Sequence, residues 1–134
     1  MEINITIKLD EEATNGHNEP VDRELYSVSP YARWFNETCL GWTNNPETNK
    51  YYLLQQQHYA NELLKMRGYL FLNEVYDILG IPRTKAGQVV GWIFKEGNFV
   101  DIGLFKTYNK NFVNGYEKST LLDFNVDGII LDRI

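Results

Sequence analysis

The sequence has little of the residue chemistry from which catalytic and metal sites are built. Its 134 residues contain one cysteine and two histidines. The single cysteine, Cys39, excludes an intrachain disulfide and a cysteine-based zinc site, and it fits a reducing compartment. The sequence has no P-loop and no G-x-G-x-x-G, G-x-S-x-G or H-E-x-x-H motif. We therefore expect a protein that is not an enzyme, with no catalytic residue and no cofactor.

Long hydrophobic runs are also missing. No apolar stretch approaches the ~18 residues that are needed to span a bilayer. The first residues, "MEINITIKLDEE", are acidic and alternating, whereas a signal peptide has a basic and then an apolar region. We expect a soluble, cytoplasmic protein with no role at a membrane.

Excess charge is confined to one end of the chain. The net charge is −5, and residues 1–24 account for all of it, so the remaining residues are neutral overall. This distribution argues only weakly against a nucleic-acid surface elsewhere. The hydrophobic fraction of 43% and the aromatic fraction of 14% supply enough large side chains for one core. We predict a single domain over residues 1–134.

Hydrophobic periodicity predicts helices before most of the strands. Ser29 followed by Pro30 indicates the start of a short aromatic helix. The clearest element is an amphipathic helix at about 46–67, with Asn45 as its N-cap and Gly68 at its far end.

Shorter signals predict the other elements. Alternating apolar residues at 3–9 indicate an N-terminal strand. A short extended run, "YLFL", precedes a second helix that Asn73 would cap and Gly80 would end. From Val89 onward, β-branched and aromatic residues are typical of strands. The predicted class is α+β, with two or three helices followed by a C-terminal antiparallel sheet.

The last segment, "LLDFNVDGIILDRI", fits two structures. Asp123, Asn125 and Asp127, followed by Gly128, have the spacing of the first half of a calcium loop. The position that needs a bidentate glutamate is instead Ile134. An Asp-Gly pair also favours a two-residue β-hairpin turn. We predict the hairpin at Asp127-Gly128, and we keep a cation site on the three polar residues as the alternative.

A second segment, residues 72–92, has the layout of a helix-turn-helix. Arg83 and Lys85 would lie where a recognition helix begins. That helix would contain Gly87 and Gly91, and each interior glycine costs a helix ~1 kcal/mol relative to alanine. A structural helix, loop and strand is the preferred interpretation, so nucleic-acid binding is retained but not favoured.

Two further groups of side chains suggest a protein-binding surface. Tyr31, Trp34 and Trp42 lie close together in the sequence, and aromatic residues either complete a core or form binding hot spots. The predicted long helix also has a neutral amide strip on its presumed outer side, which could suit an interface. Its members are Gln55, Gln56, Gln57 and Asn61.

From "SPYARWFNE" onward, the sequence resembles an uncharacterised family of phage and prophage proteins from low-GC Gram-positive bacteria. The phrases "GIPRTKAGQVVGW" and "LLDFNVDG" are the most specific part of this resemblance. The family is known only as a domain of unknown function, so no catalytic residue is implied. Many relatives have an apolar, membrane-associated region before this domain. Here a variable N-terminal strand and acidic loop, residues 1–28, stand in place of that region, before the family-like part at 29–134, so the resemblance implies a free-standing domain.

Composition and resemblance together predict a binding protein in the cytoplasm of a host cell. The partner we expect is a protein, and our first hypothesis is inhibition of a host defence protein. A DNA-binding regulator that acts through residues 72–92 is the alternative from a different class. An accessory protein of the virion is a further alternative.

Overall fold

Helices and antiparallel sheets make up the described part of the chain, residues 5–6 and 27–134 of the computed structural model. The α+β class is therefore confirmed. The strands are β1 (Ile5–Thr6), β2 (Ser27–Val28), β3 (Arg33–Phe35), β4 (Tyr69–Phe71), β5 (Val90–Ile93), β6 (Thr120–Leu122) and β7 (Gly128–Ile129). The α-helices are α1 (Pro46–Arg67), α2 (Leu72–Leu79) and α3 (Lys110–Val113), with 3₁₀ turns at Ala86–Gln88, Thr107–Asn109 and Leu131–Arg133.

The strands within these ranges form three small sheets, whereas the sequence predicted one C-terminal sheet. β1 pairs with β2, β3 pairs with β6, and β5 lies between β4 and β7. All the pairings are antiparallel. Apart from Ile5–Thr6, the predicted N-terminal strand at 3–9 lies outside the described residues and stays a prediction, as does the acidic loop that follows it.

Helix α1 matches its prediction. The Asn45 side chain accepts a hydrogen bond from the Thr48 amide, Pro46 occupies the first turn, and Gly68 ends the helix with φ +88°. Local sequence therefore specifies both ends. Among the described residues, no helix has the length and apolar character that crossing a membrane requires.

The short aromatic helix predicted after Ser29 is wrong. Residues 33–35 form β3, which pairs with residues 120–122. The Ser29 hydroxyl and amide both donate to the Asp123 carboxylate, at 2.5 and 3.0 Å. Because this distant carboxylate holds the segment at its start, the chain makes only one turn at residues 30–31, closed by the hydrogen bond from the Ala32 amide to the Ser29 carbonyl at 3.3 Å, before it enters β3.

Residues 72–92 form a helix, a loop and a strand, which was the preferred interpretation of this segment. The second helix of a helix-turn-helix is absent, because residues 90–93 form β5, the central strand of its sheet. Asn73 is not the cap of α2 either. It lies inside the helix, buried, where its side chain accepts from the Thr84 amide and donates to the Thr84 carbonyl.

The predicted C-terminal hairpin is also wrong. Its two arms belong to different sheets: residues 120–122 pair with β3, and residues 128–129 pair with β5. The Asp127 amide donates to the Gly91 carbonyl at 2.8 Å, so the segment lies against β5 from Asp127 onward. A local turn preference was outweighed by pairing with β5.

One main core unites α1, α2, β4 and β5 with the later part of the chain. Its largest fully buried side chains include Trp92, Tyr76, Phe35 and Phe112. The segment "NFVDIGLF" lies in the region where β-branched and aromatic residues predicted strands, but it forms no strand. Val100, Ile102 and Leu104 in this segment are nevertheless buried. A second, smaller cluster consists of Val28, Ala32 and Leu121, with Trp34 and Tyr108 packed against it.

Candidate functional site

The three aromatic residues predicted to bind a partner all pack against the interior. Tyr31 and Trp42 are half-buried against the main core, and Trp34 is half-buried against the second cluster. The indole nitrogen of Trp42 donates to the Lys118 carbonyl at 2.9 Å, and the Tyr76 hydroxyl donates to the Tyr31 carbonyl at 2.6 Å. Burial raises the pKa of Tyr76 to about 12. These contacts give the three aromatics a structural role, and a role in binding stays a prediction.

The amide strip does not lie wholly on the outer side of α1. The Gln57 side chain accepts from the Ile102 amide, and Asn61 bonds both the amide and the carbonyl of Val100. These amides therefore satisfy the backbone of the irregular segment that follows β5. Gln56 is half-buried and has no side-chain hydrogen bond to a described residue, so its predicted role stays open.

Arg83 and Lys85 lie on the exposed loop between α2 and β5. The Arg83 guanidinium makes a bidentate contact with the Asp77 carboxylate, at 2.9 and 2.5 Å. The hydrogen bond from Arg83 lowers the pKa of Asp77, and the same contact raises the pKa of Arg83. The Arg83 side chain is thus paired with a residue of the preceding helix, α2, whereas Lys85 has no ion pair with a described residue.

The three polar side chains of the terminal segment each bind a different part of the fold. Asp123 accepts from Ser29. The Asn125 oxygen accepts from the Trp92 indole at 2.9 Å and from the Asp101 amide at 2.8 Å. Asp127 accepts from the Ile93 amide and from the Asn98 side chain, at 2.8 and 2.9 Å. In the described part of the chain, no group of three or more His, Cys, Asp or Glu side chains could hold a metal ion.

A surface groove that the sequence did not reveal lies beside α3. We call it the α3 groove; it has a volume of about 250 Å³ and is lined by Phe105, Lys106, Thr107, Lys110 and Val113. Pockets for small-molecule ligands usually enclose roughly 300–1,000 Å³. The α3 groove is smaller, so its dimensions suit a side chain or two of a larger partner better than a whole substrate.

The 3₁₀ turn and α3 shape this groove. Lys106 precedes the 3₁₀ turn in an extended conformation, and Lys110 and Val113, three residues apart in α3, lie on one face of that helix. On the opposite face, Asn109 and Phe112 are 3% and 1% exposed. The Asn109 side chain donates to the Gly103 and Leu121 carbonyls and accepts from the Leu121 amide. The inner face is therefore anchored while the outer face carries the lysines.

Helix α1 lies beside the C-terminal end of α3. The Lys50 ammonium donates to the Val113 carbonyl at 3.4 Å, at the C-terminus of α3, where a cation is favoured. Its hydrogen bond with Glu47 raises the pKa of Lys50. The same ammonium lies 5.2 Å from the centre of the Tyr51 ring, which places this exposed tyrosine beside the end of α3.

Exposed apolar surface accompanies the groove. Phe105, on its wall, is 67% exposed, and Tyr51, beside α3, is 61% exposed. Other exposed apolar residues occur on the molecule, but these two lie next to a concave surface. A local signal for this site existed in the lysines at 106 and 110, but no helix was predicted for this part of the chain.

Comparison with known proteins identifies a family whose function is unknown. A family model described as a family of unknown function (DUF6353) matches residues 2–134. The chain belongs to this family. The match to the DUF6353 family includes the N-terminal residues that the resemblance had set apart. No curated protein and no solved structure matches the chain. The family therefore assigns no role to any residue, and the functional argument rests on the geometry.

Proposed function

We propose that this protein is a non-enzymatic binding protein whose partner is another protein, and that the α3 groove is its docking surface. The observation that supports this proposal is the exposed Phe105 on the wall of a shallow groove, with the exposed Tyr51 nearby. Aromatic side chains at a concave surface are the usual anchors of protein interfaces.

Two features favour binding over catalysis. The groove contains no histidine, cysteine or carboxylate among its lining residues, so it offers no nucleophile with an adjacent general base. The Asp77 and Glu74 carboxylates both have a lowered pKa and form bidentate pairs with Arg83 and Arg67. These carboxylates are held in ion pairs with arginine side chains, so their role is structural.

The resemblance to phage proteins supports a more specific form of the proposal. In that form, the partner is a host protein, such as a defence protein, and the phage-derived chain inhibits it in the cytoplasm. A partner from the virion would instead support the accessory role. The identity of the captured protein separates these two.

The proposal is tested by affinity capture from the native cell with the full chain. A groove variant, Tyr51→Ala with Phe105→Ala, is compared with a control variant, Leu40→Ala with Met66→Ala. Leu40 and Met66 are 95% and 75% exposed and do not line the groove, so the control removes apolar surface elsewhere. Met66 lies at the opposite end of α1 from Tyr51.

We expect one protein to be recovered in stoichiometric amount with the wild type and the control, and at least tenfold less with the groove variant. Equal recovery with the groove variant would refute docking through the α3 groove. If no protein is recovered with the wild type, the binding function itself is rejected.

A further inference from the structure

We propose that the α3 groove recognises an acidic segment of its partner, one that carries carboxylates beside an apolar side chain. This inference rests on the proposed function, because it specifies the chemistry of the partner that the groove would hold. The observation behind it is the positive charge of the groove, which a partner that binds only through aromatic contacts would not need.

The groove concentrates positive charge that forms no ion pair within the described residues. Lys106 and Lys110 both line it, both are exposed, and neither makes an ion pair with any residue that the structure describes. Lys50, at the end of α3, is paired with Glu47 at 2.6 Å and adds no free charge. The groove itself therefore has two cations and no anion among its lining residues.

The two lysines determine the charge of the segment that the groove would bind. Lys106 and Lys110 flank the 3₁₀ turn Thr107–Asn109, and both line the groove. An extended peptide presents alternate residues on one face, ~6.6 Å apart at ~3.3 Å per residue. Two acidic side chains at alternate positions would therefore face the two lysines from the same side of the segment.

The walls of the groove define the rest of the ligand. Phe105 and Val113 supply apolar surface at the same place as the charges, and Thr107 adds a hydroxyl. An apolar side chain of the ligand would cover the exposed Phe105 ring, which gains the energy of apolar burial. The carboxylates would occupy alternate positions on the same face of the segment as this apolar side chain, so they would face the lysines while it covers Phe105.

A nucleic-acid strand fits these observations less well. Two lysines would neutralise about two phosphates, which gives a salt slope of only about −1.4 for a single strand. A short acidic peptide presents few charges and places them where the two lysines are, so the peptide is the ligand we choose.

Direct binding of defined probes tests the chemistry. The probes are a fluorescein-labelled peptide with leucine, glutamate and glutamate at alternate positions and serine between them, its version with glutamine for glutamate, and a labelled oligothymidylate. Fluorescence anisotropy is measured with the full chain and with Lys106→Glu combined with Lys110→Glu. The matched control is Lys85→Glu combined with Lys95→Glu, which changes the net charge equally on exposed loops outside the groove.

We expect the glutamate peptide to bind the wild type and the control at least tenfold more tightly than it binds the variant with Lys106→Glu and Lys110→Glu. We also expect it to bind more tightly than the glutamine peptide. Equal affinity for the two peptides, equal losses in the two variants, no binding of the glutamate peptide, or tighter binding of the oligothymidylate would each overturn the inference.

The lysine variants are also used in the affinity capture. The captured protein could be lost with the groove variant, Tyr51→Ala with Phe105→Ala, and retained with the variant that has Lys106→Glu and Lys110→Glu. In that case docking in the groove stands and the acidic ligand is rejected. Loss with both variants, and retention with the Lys85 and Lys95 control, supports the acidic ligand.

Discussion

At the scale of single residues, one buried amide decides the position of the candidate site. Asn109 bonds three backbone groups, at Gly103 and Leu121, with distances of 2.7–3.2 Å. Substitution by alanine leaves these groups unpaired, and a buried unpaired group costs about 1–3 kcal/mol. We expect Asn109→Ala to lower the free energy of unfolding by about 2–4 kcal/mol, as measured by urea denaturation.

The control for this prediction is a neighbouring residue of the same type. Asn111 is exposed and makes one long side-chain bond, 3.4 Å, to Glu117. We expect Asn111→Ala to shift the urea midpoint only slightly. If both variants unfold at the same urea concentration, the role given to Asn109 is wrong.

At the scale of elements, close approach of backbones sets the pairing of β4 with β5. Gly91 lies opposite Phe71 in β4 and opposite Gly128 in β7. A Cβ atom at Gly91 would overlap the Leu70 carbonyl oxygen and lie 2.8 Å from the Phe71 Cα, so the strands could not keep their spacing. We expect Gly91→Ala to destabilise the fold by about 3 kcal/mol or more, seen as a lower Tm by circular dichroism.

Gly97 separates this steric effect from the general cost of replacing a glycine. It has φ +83°, and a Cβ atom added there would meet no atom within 4 Å beyond its chain neighbours. Backbone strain alone should make Gly97→Ala cost about 1–2 kcal/mol. A Tm for Gly91→Ala as high as that for Gly97→Ala would show that β4 and β5 tolerate a wider separation.

At the scale of the whole molecule, two hydrophobic clusters raise the question of how many units unfold. Trp92 is buried in the main core, and Trp34 packs against the second cluster. Strand β3 spans both clusters, since Phe35 belongs to the main core. Because the clusters share a strand, we predict one cooperative transition, as for a single domain.

Tryptophan fluorescence tests that prediction. The variant Trp42→Phe with Trp92→Phe leaves Trp34 as the reporter of the second cluster, while far-ultraviolet circular dichroism reports mainly on helix α1. We expect the two signals to have the same urea midpoint within this variant. Separate midpoints would mean that the second cluster unfolds on its own. In the converse variant, Trp34→Phe, fluorescence comes from Trp42 and Trp92, which contact the main core.

The success of sequence-based prediction differed between elements for a physical reason. Helix α1 was predicted closely because its cap, its first-turn proline and its terminal glycine act within the helix itself. Strand β3 was mistaken for a helix because Ser29 is held by Asp123, 94 residues further along the chain. Non-local partners of this kind leave no periodic signal in the sequence.

The same reason explains why the candidate site was missed. The sequence placed binding residues among the aromatics near Trp34 and on the loop with Arg83. The structure packs the first group inward and pairs Arg83 with Asp77. Lys106 and Lys110 become neighbours only because residues 107–113 form a 3₁₀ turn and α3, which Asn109 anchors to β6.

The sequence by itself determined the α+β class, the ends of the long helix and the lack of known catalytic motifs. These properties follow from composition and from interactions between residues close in the chain. Only the tertiary structure decided which strands pair, which backbone groups Asp123, Asn125 and Asp127 hold, and where a groove forms. These outcomes depend on which distant segments satisfy each other's buried backbone groups, and that competition is settled when the whole chain folds.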